Sequence, residues 1–302
     1  MAKRALILGS GGPVGIGWEA GLLAGLAEAG VDLSDTDYIV GTSAGSIVGL
    51  QIAMGKAIGD LAASILSESA PLSRPLSHLS ALPDPDFTNF IDKMAEAIAG
   101  KRPAREVRVE IGKWAIGTET ISEEMFIAVL GFIFNELVDG GWPDRNFACT
   151  AVDALSGEFV VWNKDAGASI RRAIASSCSV PGFFPPITIN GRRYMDGGTH
   201  SATNADLAKG YDTAVVLAVS GTAGDPEMAS QFRAQLDNEL AILRESGTQV
   251  ELLVPDASSI RAFGPNLMDS RNCPGAAEAG LAQGNAEVAR LRRIWSTRAA
   301  CG

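Results

Sequence analysis

The sequence predicts an α/β fold: a central, mostly parallel sheet flanked by helices, with a helical insertion between two sheet strands. Residues 4 to 55 alternate twice between a short apolar run and a segment with helical spacing, the pattern of strand–helix units on a parallel sheet. Strand-like sequence resumes only near residue 145, so residues 56–145, which read as helices and a proline-rich loop, are inserted. The composition, 46% hydrophobic and 20% charged over 302 residues, is that of a compact chain, and at this length about three quarters of the unfolded surface can be buried. We read residues 1–302 as one domain.

In chain order, "RALIL" is a first strand, and "GIGWEAGLLAGLAEAG" is a helix stopped by Gly30. "TDYIVG" and "GSIVGLQIAMG" repeat the unit. Within the insertion, "AIGDLAASILS", "FTNFIDKMAEAIAG" and "SEEMFIAVLGFIFNEL" have helical character, around a loop holding Pro71, Pro75, Pro83 and Pro85. "NFACTAVDA" and "GEFVVWN" return to strands. The helix "ASIRRAIASS" and the loop "CSVPGFFPP" precede a hairpin, "ITINGRRYM", whose Asn190-Gly191 pair suits a type I′ turn. "TAVVLAVS" and "QVELLVP" read as further buried strands on either side of a helix from about Pro226 to Glu245, and "GAAEAGLAQGNAEVARLRRIW" is a closing helix.

Composition excludes some functions. The net charge of −10, with "RLRRIWSTR" the densest basic cluster, argues against a nucleic-acid partner. Four cysteines without a C-x-x-C pair and only two histidines argue against a protein-bound metal and against a disulfide framework, and no cofactor is expected. The N-terminal apolar run is too short for a signal peptide and no stretch reaches the ~20 apolar residues of a membrane span. A cytoplasmic location is therefore expected.

Three motifs carry possible chemistry. "GTSAGS" has the Gly-x-Ser-x-Gly form between a strand and a helix: Ser43 would sit at the tip of a sharp turn, and Gly41 and Gly45 would be required because the chain passes too close to itself for a Cβ. The other reading is a run of small residues where a helix packs on a sheet. "GSGGPVGIG" is a glycine-rich turn. Val14 stands where a dinucleotide fingerprint needs a small residue and no Gly-Lys-Ser/Thr follows, which leaves an oxyanion hole made by the Gly11 and Gly12 N–H groups, or a plain tight turn. "YMDGG" places Asp196 before Gly197 and Gly198, either as a base or as an ordinary turn. Of the histidines, His78 lies in the proline-rich loop, and His200 is only four residues from Asp196, which does not match the separate acid and histidine loops of an α/β-hydrolase.

Taken together, "LILGSGGPVG", "GTSAGS", "ASSCSVPGFFPP" and "YMDGG" resemble, in order, four blocks of the patatin-like phospholipases, over residues 5–50 and 147–220. The resemblance implies a three-layer α/β/α fold and a Ser43–Asp196 dyad, with Ser43 attacking an acyl carbonyl, Asp196 taking its proton and the glycine loop holding the oxyanion. It implies a lipid or acyl-ester substrate. The insertion then reads as an acyl-binding cover, or as helices that only enlarge the core. The acidic charge disfavours strong attraction to anionic bilayers, while an apolar cover suits transient contact with a lipid surface. Nothing in the sequence specifies an oligomeric state.

The chain departs from the family pattern at Val14, where a basic residue is usual, at Pro13, which lacks an N–H, and at Ser10 in place of the loop's first glycine. Loss of the basic side chain motivates an expected preference for neutral over phosphate-bearing lipids, or lower activity. A thioesterase or general carboxylesterase, and a weakly active lipid-binding protein, are the neighbouring readings.

Overall fold

The computed structural model describes residues 2–67, 92–96, 100–131, 141–219 and 226–295. His78 and the four prolines of the insertion lie outside them.

An eight-stranded sheet organises the chain. Strands β1 (Arg4–Leu8), β2 (Tyr38–Gly41), β3 (Phe147–Asp153), β4 (Phe159–Trp162), β5 (Ile187–Ile189), β6 (Arg192–Asp196), β7 (Thr213–Leu217) and β8 (Gln249–Leu253) run in the order β5-β6-β3-β2-β1-β7-β8, with β4 also on β3. The β3–β2–β1–β7–β8 pairings are parallel. The β4, β5 and β6 pairings are antiparallel. The β5–β6 turn has Asn190 and Gly191 both at positive φ, 50° and 76°, as a type I′ turn requires.

Helices α1 (Gly12–Glu28), α2 (Ala44–Ala53), α3 (Ile58–Leu66), α4 (Ala104–Gly117), α5 (Glu123–Val129), α6 (Ile170–Ser177), α7 (Pro226–Glu245), α8 (Ala257–Phe263) and α9 (Cys273–Leu291) cover the sheet. Strand alternation divides the core. Leu6, Leu8, Val215 and Leu217 face one helical layer, which includes α1, α2 and α9. Ala5, Ile7, Ala214 and Val216 face the other, where α7 supplies Leu236, Leu240 and Leu243. Within the insertion, α4 packs Val107 and Ile111 on Val152 and Met195.

Three details differ from the sequence expectation. Helix α1 starts at Gly12, because the glycine turn itself forms its first turn. Strand β8 is a half-exposed edge strand and not a buried one, since among the described residues only β7 pairs with it. The short helix α8, capped by Asp256 accepting the Ser259 N–H at 2.7 Å, was not anticipated. Helix α9 packs closely on α1: Gly17 and Gly21 of α1 lie directly against backbone carbonyls of Cys273 and Ala277, leaving no room for side chains and drawing α9 close. That approach carries the preceding loop, residues 264–272, over the glycine turn.

Candidate active site

Ser43 occupies the junction of β2 and α2 with φ 53° and ψ −115°, a backbone conformation that costs a non-glycine residue about 1–3 kcal/mol. A Cβ on Gly41 would fall on the Gly45 carbonyl and the Ser46 Cα, and one on Gly45 would fall on the Leu8 carbonyl. The two glycines thus allow the sharp turn. Ser43 stands at the N-cap of α2, where serine hydroxyls ordinarily bond the first turn, yet its hydroxyl makes no such bond. Its backbone is tied down instead: the N–H donates to Ser177 Oγ at 3.0 Å, and the carbonyl accepts from Ser46 Oγ at 2.6 Å.

Strand β3 is the template that brings the second half of the site to the first. Gly41 is in register with Cys149 and Asp196 with Ala151, so the C-terminal ends of β2 and β6 meet two residues apart along β3. Asp196 is 4% exposed. Its Oδ1 accepts the Gly198 N–H at 2.7 Å, while Oδ2 is buried without a hydrogen-bond partner among the described residues. Burial pushes the carboxyl up to about 7, with the Gly198 N–H and the nearby Ser43 hydroxyl pulling the other way. The Ser43 hydroxyl thus lies close enough to act on the carboxyl without making a full hydrogen bond to its Oδ2.

The glycine turn presents donors to the same place. The Gly9, Ser10 and Val14 N–H groups are used by the carbonyls of Leu217, Ala202 and Leu267, and Pro13 has none. The N–H groups of Gly11 and Gly12, and that of Ala44 just after the serine, have no acceptor among the described residues. Val14 is buried in the core and does not line the cavity beside Ser43.

Ser43 opens onto a cavity of about 300 Å³. Ile16, Ile47, Phe126, Leu130, Phe183 and Phe184 give it an apolar lining, with Phe126 and Phe184 stacked at 4.2 Å. Phe126 comes from α5, so the insertion does wall the cavity. The other wall is the loop ending at Arg271, whose Nε and Nη2 lie 2.8 and 2.7 Å from Oδ1 and Oδ2 of Asp269.

His200 points elsewhere. Its ring stacks on Phe159 at 4.1 Å and its Nδ1 is 2.9 Å from Asn204 Oδ1. Burial lowers its pKa, and it is absent from the cavity lining. Among the described residues no three His, Cys, Asp or Glu side chains are grouped to hold a metal, and no helix is long and apolar enough to cross a membrane. Sequence reasoning missed Ala44, Cys178 and residues 266–271 as parts of the site. Ala44 had a signal, its place one residue after the elbow serine, and so did Cys178, whose Sγ lies 3.4 Å from the Ser43 carbonyl and which stands in the block "ASSCSVPGFFPP"; the C-terminal loop had none.

The α/β sheet thus brings together a strained serine at a strand–helix turn, a buried carboxyl, backbone N–H groups without acceptors among the described residues and an apolar cavity. The family model for patatin-like phospholipase matches residues 6–209. The chain belongs to the patatin-like phospholipase family, a family of lipid hydrolases. Comparison with curated proteins returns no match. Among solved structures, the chain is similar to VipD from Legionella pneumophila, with TM-score 0.47 and 14% identity, covering 96% of this chain and 67% of that one. It is also similar to the type III effector protein ExoU, with TM-score 0.40 and 16% identity, covering 96% of this chain and 53% of that one. ExoU in complex with SpcU, from the type III secretion system of Pseudomonas aeruginosa, gives TM-score 0.36 and 17% identity, covering 94% of this chain and 53% of that one.

Proposed function

We propose that the protein is a serine acyl-hydrolase that cleaves lipid acyl esters through a Ser43–Asp196 dyad. The observation that carries this reading is the buried, unpartnered Oδ2 of Asp196 beside a strained serine that opens onto an apolar cavity. Ser43 Oγ attacks the acyl carbonyl as its proton passes to Asp196. An aspartate with a pKa near 7 is matched to that task at neutral pH, whereas an ordinary one is too weak a base. The N–H groups of Gly11, Gly12 and Ala44 stabilise the oxyanion, helped by the positive end of the α2 dipole. Asp196 then returns the proton to the leaving alkoxide, and water, deprotonated by the same carboxylate, releases the acyl group from Ser43.

The acyl chain lies against Ile16, Ile47, Phe126 and Leu130. Among the described residues lining the cavity, Arg271 is the only cation, and Asp269 neutralises it. With Val14 buried, this arrangement favours neutral acyl esters over anionic phospholipids. The test is hydrolysis of p-nitrophenyl esters from acetyl to palmitoyl, and of neutral acylglycerols against phospholipids, by the wild type and by Ser43→Ala, Asp196→Asn and His200→Ala. Loss in the first two alone supports the dyad. Equal loss in His200→Ala defeats the base assignment, and a clear preference for phospholipid defeats the headgroup reading.

A further inference from the structure

Eight residues beyond Asp196 the chain contains a buried polar side chain that the proposed chemistry does not use. Asn204 is fully buried and adopts a left-handed backbone conformation, φ 52° and ψ 41°. Its Nδ2 donates to Thr42 Oγ1 at 3.0 Å, to Ser201 O at 2.8 Å and, at 3.4 Å, to Thr150 Oγ1. The Thr42 and Thr150 hydroxyls are themselves 2.9 Å apart. Because Ser201 O can only accept, the amide orientation is set: Nδ2 faces the threonines and Oδ1 receives the proton on His200 Nδ1.

These partners come from the three strands of chain that build the dyad. Thr42 directly precedes Ser43. Thr150 lies on β3 between Cys149, paired with Gly41, and Ala151, paired with Asp196. Asn204 belongs to the loop that follows Asp196, and that loop also fixes the glycine turn, since Ala202 O accepts the Ser10 N–H at 2.7 Å. The loop is anchored from behind by Glu239 of α7, whose Oε2 accepts from Thr203 Oγ1 at 2.7 Å and from the Ala205 N–H at 2.8 Å. From this arrangement we infer that Asn204 is a positioning residue that sets Ser43 against Asp196 through a Thr42–Thr150–Asn204 network. An asparagine suits the position twice over, tolerating the left-handed backbone and supplying two N–H groups to buried acceptors.

The inference rests on the Ser43–Asp196 reading and has its own test. Asn204→Gly keeps the left-handed backbone accessible and deletes the amide; Thr42→Val deletes one hydroxyl at constant shape. Steady-state kinetics on p-nitrophenyl butyrate, melting temperature and the rate of Ser43 labelling by a fluorophosphonate are measured for both variants and for the double variant. None of Thr42, Thr150 or Asn204 lines the cavity, so kcat and labelling are expected to fall by about 10- to 100-fold, the scale of a misplaced reacting group, with KM changed less than about twofold. The double variant should lose no more than the worse single one, because both break the same network. Wild-type kcat in either variant, losses that multiply, or an effect confined to KM would overturn the positioning role. Should Asn204→Gly not fold, Thr42→Val decides alone by the same kcat criterion. A wild-type protein that neither hydrolyses esters nor labels at Ser43 would overturn the hydrolase reading, and this inference with it.

Discussion

On the sheet side of the site, Ser43, Asp196 and the glycine turn are held by strand register, backbone hydrogen bonds and a hydroxyl–amide network. On the opposite side, the cavity wall consists of apolar side chains from α5 and the Phe183–Phe184 loop, together with the segment ending at Arg271. The first half relies on directional interactions that fail when an atom moves by an ångström. The second relies on apolar area, which many side chains supply about equally well. Substitutions should therefore separate into those that stop the chemistry and those that change which substrate is accepted.

The largest effects belong to the sheet side. Ser43→Ala and Asp196→Asn should each lower kcat by about 10³-fold or more while leaving the protein folded, as judged by ester hydrolysis beside thermal melting. Gly41→Ala comes next: a methyl driven into the Gly45 carbonyl should cost about 1–3 kcal/mol of stability, with loss of activity, in denaturant titration. An active, fully stable Gly41→Ala protein would mean that the elbow has room its geometry denies.

On the cavity side, Phe126→Ala should leave the turnover of acetyl esters close to wild type. It should shift the preference among longer esters by up to about tenfold, since each methylene of the acyl chain that is no longer buried forfeits about 0.8 kcal/mol. An equal loss for every chain length would remove the distinction between the two halves. Asp196→Asn also carries a stability signature. Its carboxyl is raised in the folded state, so the stability tied to its proton is complete below the unfolded pKa near 4 and is lost as pH rises through about 7. The Asn variant should therefore melt higher than wild type at pH 8, with the difference vanishing toward pH 4. His200→Ala should have the smallest effect, a few-fold at most in kcat, because the ring touches the site only through Asn204.

The two halves were also unequally legible in the sequence. Gly41, Ser43, Gly45 and Asp196 are dictated by local steric and chemical demands that few residue types satisfy, so their spacing stands out in the chain. The wall is a product of tertiary packing. Leu267 and Met268 reach the glycine turn only because glycines on α1 let α9 approach, and nothing in "GPNLMDSR" signals that destination. The same holds for Asn204: its left-handed backbone and its hydrogen bond to Thr42, 162 residues away in the chain, exist only once β3 has paired with both β2 and β6. The edge position of β8 was missed for a related reason, since an apolar run reads alike whether one neighbour or two will cover it.

The most direct test of the dyad is the pH dependence of Ser43 acylation, followed as the p-nitrophenol burst from a butyrate ester. With Asp196 as the base, the acylation rate should rise with pH along a single limb with its midpoint near 7, persist in His200→Ala and be abolished in Asp196→Asn. A limb that survives in Asp196→Asn and disappears in His200→Ala would contradict the dyad.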